Sequence, residues 1–150
     1  MKLQFSISLL FICSSAFAEP YLTITCSEPT GDRFDYIKGT IEKDTDKYSG
    51  IQPTFIIEKA NSDTVSIIWG HTKAYGEPPT ASTKKAKIVT AGTNQFSAVR
   101  TVNAGSLLEV YSFFPSNGLL YYAEHSFGFP ILDGATSKSL YAKCKFSYAP

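Results

Sequence analysis

The chain is poor in the residues that most protein chemistry needs. Only two histidines occur in 150 residues, His71 and His125. Neither belongs to a His-x-x-x-His or Cys-x-x-Cys arrangement, so spacing assembles no metal-ligand set and no metal is expected. Asp44, Asp46 and Tyr48 fail as a calcium loop, because the sixth and twelfth positions are Ser49 and Phe55 instead of Gly and Glu. No Gly-x-Ser-x-Gly occurs, and no acid–base pair can be argued from spacing, so neither catalytic residues nor a cofactor are expected. Net charge is nearly absent too, at +1 overall. That argues against a nucleic-acid partner, whose binding rests on neutralising phosphates. Beyond the N-terminus no apolar run approaches the length needed to cross a bilayer. There is no internal repeat, low-complexity segment, charge block or helical periodicity.

The N-terminus is read apart from the fold. Lys2 precedes an apolar run, Phe5 to Ile12, which ends at Ala16-Phe17-Ala18. This is the pattern of a secretory signal peptide over residues 1–18, cleaved after Ala18, and it places the mature protein outside the cell or in a bacterial periplasm. A lipoprotein reading at Cys13 is disfavoured because Ile12 is not small. Residues 19–150 then form a single domain in which basic and acidic side chains balance, 13 of each once Lys2 is removed. No membrane-spanning segment remains.

What is present is strand-like. Tyr21–Cys26 carries Leu22, Ile24 and Cys26 on one face, and Leu140–Phe146 carries Leu140, Ala142, Cys144 and Phe146 on one face. Cys26 and Cys144 are the two cysteines left in an exported chain, and they are expected to form a disulfide between the first and last strands. Between them the spacing predicts strands over 34–43, 54–60, 64–69, 86–90, 95–102, 107–114 and 119–127, with polar loops at 44–50 and 71–85. Eight or nine strands separated by turns predict an all-β fold. A small antiparallel barrel is preferred, since a closed meander makes its first and last strands neighbours; a β-sandwich is the alternative.

Asn117-Gly118 predicts a two-residue type I′ hairpin. That register pairs Phe114 with Tyr121, Ser112 with Ala123 and Val110 with His125. The face free of carboxylates is then assigned to the core, with Glu109 and Glu124 outside. On this register Ser112, Tyr121 and His125 point inward. Arg100 joins them if it shares the face of Phe96 and Ala98, and an inward arginine demands a partner. With Trp69 these residues make a pocket for a small apolar or anionic ligand. Tyr75, Lys84 and Lys85 mark the 71–85 loop as a partner-binding segment. Tyr36, Tyr48 and Tyr111 are expected to be partly exposed.

The run Cys26-Ser-Glu-Pro-Thr-Gly-Asp-Arg-Phe-Asp-Tyr36, with Pro53–Ile57, Ile68-Trp-Gly70 and Tyr141–Cys144, resembles small secreted bacterial β proteins with one disulfide. That resemblance implies export and a single domain, and no activity. Bacterial periplasmic lysozyme inhibitors are similar in architecture, being small, exported, disulfide-bearing barrels. Their Ser-Gly-x-x-Tyr-type loop is not found in this sequence. The sequence therefore predicts a non-enzymatic exported barrel that binds a small ligand or a protein partner. An inhibitor of a secreted or periplasmic enzyme, acting through the 71–85 loop, stands second, and an enzyme of unknown reaction third.

Overall fold

A computed structural model describes residues 19–71, 82–92, 94–102, 106–127 and 134–149, with His71 described by its backbone alone. Among the described residues there are ten strands: β1 Leu22–Cys26, β2 Thr30–Ile37, β3 Thr40–Lys47, β4 Ile51–Ile57, β5 Thr64–His71, β6 Ser82–Ala91, β7 Phe96–Val102, β8 Leu107–Phe114, β9 Leu119–Phe127 and β10 Ala135–Tyr148. They run antiparallel in the order β1-β4-β5-β6-β7-β8-β9-β10, and β10 pairs back onto β1. Eight strands thus close a barrel, and β2 and β3 lie outside the ring. Among the described residues no helix is long and apolar enough to cross a membrane.

The two outer strands are an extension of the barrel's own first hairpin. Along β10, Cys26 lies opposite Cys144 and Thr30 opposite Tyr141, so β2 continues β1 after a single extra residue. Glu28-Pro29 sits at this bulge, where a proline costs no ladder hydrogen bond. On the other arm, Thr54 pairs with Thr25 and Lys47 with Thr30, which leaves two extra residues around Tyr48–Gly50. The hairpin bends there and leaves the ring, opening a mouth between β3 and the start of β4. Its tip is Lys38-Gly39, both at positive φ (49° and 86°), the requirement of a type I′ turn. The strand expected over 34–43 with an interruption at Gly39 is therefore two strands that turn at that glycine, and the loop expected at 44–50 is mostly strand β3.

The barrel interior divides along its axis. The half away from the mouth is apolar and solidly packed: Ile24, Phe55, Val65, Ile67, Phe113 and Leu120 are fully buried. Ring centroids of Phe55–Phe113 and Phe96–Phe113 lie 4.8 and 4.5 Å apart. Burial of such side chains stabilises by roughly 1.5–3 kcal/mol each, so this half supplies the drive to close. The disulfide joins directly opposed residues across the β1–β10 seam, with Cα atoms 4.0 Å apart.

The β8–β9 turn departs from expectation. Phe114 pairs with Leu119, so the loop holds four residues, Pro115–Gly118. Pro115 opens a 3₁₀ turn and Gly118 closes it in the left-handed region at φ 61°. Proline pre-sets the first turn position, and this outweighs the Asn-Gly preference. The register consequently shifts by two residues and sets Glu109 opposite Glu124.

Gly31 lies where β2 runs close against β10. A Cβ there would stand 2.1 Å from the Ser139 carbonyl oxygen, a backbone atom that cannot step aside. Gly31→Ala is expected to cost about 1–3 kcal/mol of stability, as overpacking does. Chemical denaturation of the variant beside the wild type measures it; an unchanged midpoint would place β2 further from β10.

Candidate functional site

At the mouth, alternation along each strand delivers charged side chains to the interior. β8 carries Phe113 and Tyr111 inward, and Glu109 follows them on the same face. β9 does the same with Leu120, Tyr122 and Glu124, and β10 brings Lys138 beside them. β7 contributes Arg100, opposite Glu109, and β6 contributes Lys84. Glu109 is 1% exposed. An isolated carboxylate could not remain charged there. Arg100 Nη1 lies 2.5 Å and Lys84 Nζ 3.3 Å from its two oxygens. Across the mouth, Lys138 Nζ lies 3.6 Å from Glu124 and 3.2 Å from Asp46 on the outer hairpin.

Tyrosines knit the two groups together. The Tyr122 hydroxyl is 2.6 Å from Glu124 and 3.3 Å from Glu109. Tyr48, at the bend between β3 and β4, turns inward and donates to Glu124 at 2.9 Å, while Lys138 donates to its hydroxyl at 3.2 Å. The Tyr48 ring packs edge-on against Trp69 at 5.5 Å, with Lys138 4.9 Å from its centroid. Tyr48 thereby ties the outer hairpin to the barrel.

Burial, reinforced by the charge of Glu124, pushes the Tyr48 hydroxyl up to about 12. Burial likewise drives Tyr111 and Tyr122 well above the ordinary tyrosine value, helped at Tyr111 by the charge of Glu109. For Lys138 burial opposes the charge, but Tyr48 and Glu124 outweigh it and hold the ammonium above its usual range.

One buried donor in this region, Trp69 Nε1, has no hydrogen-bond partner among the described residues. A chamber of about 220 Å³ lies between Tyr48, Trp69, Lys84, Glu109, Tyr122 and Glu124. A second space of about 350 Å³, bordered by Arg33, Asp35, Glu42 and Lys138, shares Glu124 with it. Among the described residues no three His, Cys, Asp or Glu side chains are grouped to hold a metal ion.

The residues singled out from the sequence divide between the two faces. Trp69 and Arg100 are inward, and Arg100 has the partner its position requires, in Glu109. Tyr121, His125 and Ser112 are not inward; the face assignment is reversed. Tyr121 is half exposed against Phe114, His125 is exposed and meets Ser137 Oγ at 3.0 Å, and Ser112 bonds Ser97 at 3.2 Å. The reversal follows from Glu109 and Glu124, which are tolerated inside because three cations and two tyrosine hydroxyls meet them. Lys84 and Lys85 belong to strand β6 and not to a loop tip; Lys84 turns inward and Lys85 outward to solvent. Tyr75 lies outside the described residues, as does most of the 71–85 loop. Tyr36 is half exposed as expected, whereas Tyr48 is largely covered and Tyr111 is fully buried.

Glu109, Glu124, Lys138, Tyr48 and Tyr122 were not indicated by sequence reasoning. The signal that identifies Glu109 is aromatic weight, since it alternates with Tyr111 and Phe113; Glu124 follows only through its register opposite Glu109. On β8 that is the bulkier face of the strand; on β9 the outward face, with Tyr121 and Phe127, is at least as bulky and hides the signal.

The outer surface carries a different feature. Leu108, His125, Ser137 and Phe34 line up across β8, β9, β10 and β2. With Tyr36, Ile41 and Phe127 they border a groove of about 460 Å³ where the outer hairpin bends away. Ile41 and Phe127 are 74% and 70% exposed.

Compared with protein-family models, curated proteins and solved structures, the chain has no match.

Proposed function

We propose that this protein is an exported, non-enzymatic β-barrel that binds a small polar ligand in the charged chamber at its mouth. The observation that carries the reading is a buried donor, Trp69 Nε1, left without a partner on a residue that lines a chamber otherwise bordered by charged groups and tyrosine hydroxyls. Unsatisfied buried donors are uncommon, and each costs about 1–3 kcal/mol. An acceptor brought by a ligand offsets that cost. An apolar ligand is disfavoured, because the apolar half is filled by its own rings and the chamber is smaller than the roughly 300 Å³ at which drug-sized pockets begin. Catalysis is disfavoured because both carboxylates already accept from the chain's own cations and hydroxyls.

Trp69 is the only tryptophan, so its fluorescence reports this chamber alone. Titration with small polar solutes is expected to change that fluorescence saturably, and Glu124→Gln to abolish the change. A saturable response that survives Glu124→Gln counts against the chamber. A protein partner is the second reading, favoured by the outer groove with its exposed Ile41 and Phe127, since contiguous apolar exposure marks contact surfaces. There the sensitive substitution is Phe127→Ser, which leaves the chamber untouched.

A further inference from the structure

We infer that the ligand of the mouth chamber is a small zwitterion of the free amino-acid type. The inference rests on the reading of the mouth as a ligand chamber and adds the chemistry of what enters it. The ion pairs at the mouth balance overall but not locally. On the β6–β7–β8 wall, one carboxylate, Glu109, faces two cations, Lys84 and Arg100, at 3.3 and 2.5 Å. That wall carries one uncompensated positive charge. On the adjoining β9–β10 wall one cation, Lys138, faces two carboxylates, Glu124 and Asp46 of the outer hairpin, at 3.6 and 3.2 Å. That wall carries one uncompensated negative charge.

Glu109 and Glu124 are directly opposed on neighbouring strands. The two carboxylates therefore stand about one strand spacing apart, roughly 5 Å, with the Tyr122 hydroxyl shared between them, while the positive excess lies on the far side of Glu109 at Lys84. The chamber of about 220 Å³ touches both walls, through Lys84 on one side and Glu124 on the other. Trp69, whose indole N–H has no partner, stands on the positive side, with Lys84 Nζ 5.3 Å from its ring centroid. A carboxylate near Lys84 and Trp69, with an ammonium toward Glu124, would cancel both local charges without adding net charge.

Other small solutes fit less well. A simple anion or a simple amine satisfies one wall and leaves the other uncompensated at low dielectric. A sugar ring usually needs an open aromatic face, and Trp69 offers none. Lys84 lies over the indole, and Tyr48 and Tyr122 pack against it at 5.5 and 5.9 Å.

The test uses the whole mature protein, with calorimetry and Trp69 fluorescence read together. A panel of free amino acids is titrated beside the amine and the carboxylic acid that correspond to each, and beside glucose. An amino acid is expected to bind at least tenfold more tightly than either its amine or its acid. Lys84→Met should remove the preference over the amine, and Glu124→Gln should abolish the response to the amino acid. If an acid, an amine or glucose binds as tightly as any amino acid, the zwitterion is overturned while the chamber stands. If nothing in the panel binds and Trp69 fluorescence stays constant, chamber and zwitterion fall together. The analogue series is run on wild-type protein, so a variant that fails to fold does not decide the outcome.

Discussion

Between pH 10 and 12 the protein is expected to lose stability by about 4 kcal/mol per pH unit, and to unfold cooperatively inside that window. Three buried tyrosines set the slope. Burial and the charge of Glu124 push Tyr48 up to about 12. Tyr111 and Tyr122 are also raised, by burial first and then by neighbouring negative charge. In the unfolded chain each titrates near 10. Above that pH the unfolded state has shed protons that the native state still holds, so its free energy falls relative to the fold as pH rises. The contribution is fully present below pH 10; for Tyr48 it is lost as pH rises through about 12. Each tyrosine adds about 1.4 kcal/mol per pH unit, and a typical domain has only about 5–15 kcal/mol in total. Circular dichroism followed together with near-ultraviolet tyrosinate absorbance measures this. Part of the absorbance should rise only as the sheet signal is lost, and Tyr48→Phe should flatten the slope by about a third. Complete tyrosinate formation in a still-folded protein would mean that these hydroxyls are not enclosed.

The closed ends of the barrel were legible because they rest on strict alternation. Leu22, Ile24 and Cys26, and Leu140, Ala142 and Cys144, each sit on one face at period two. Two cysteines on matching faces leave little choice of partner. The long hairpin was half legible. Strand and turn residues were read along 34–50, but Lys38-Gly39 carries no strong turn signal, because lysine rarely takes positive φ. The seam between β1 and β2 is still harder to read, since one bulged residue decides whether two strands are neighbours or one continuous line along β10.

The mouth was misread for a reason that bears on function. Keeping carboxylates out of the core is sound for any one strand, because a lone buried charge is prohibitive. It fails where several strands each place one charge at the same height of a barrel. Lys84, Arg100, Glu109, Glu124 and Lys138 come from five different strands. No local window contains two of them that meet, apart from Arg100 and Glu109 across the β7–β8 turn. Their partnership exists only after closure. Such networks contribute little net stability, since desolvation offsets most of the attraction. The apolar half holds the barrel together.

Covalent closure at the seam dominates stability in the other direction. Replacing Cys26 and Cys144 together by alanine is expected to cost about 4–5 kcal/mol, on the order of a 15 °C drop in melting temperature. The bond spans 118 residues, nearly the whole described chain, so it removes much of the unfolded state's freedom. The structural effect should be local. Cys26 and Cys144 are directly opposed where β1 gives way to the bulge, and only Leu22–Cys26 of β1 holds this half of the seam. Amide exchange in the double variant should therefore accelerate first in β1 and in residues 144–148 of β10, while the β7–β8–β9 ladder stays protected. Tyr48 lies beyond the bulge, next to the hairpin that β10 holds through Thr136–Tyr141, and Glu124 and Lys138 face it from β9 and from that same part of β10. Chamber binding by folded variant protein should thus remain near wild type at temperatures well below its melting point. Uniform acceleration of exchange across all strands would mean that the disulfide holds the whole barrel and not its seam. Loss of Trp69-reported binding in folded protein would couple the seam to the mouth.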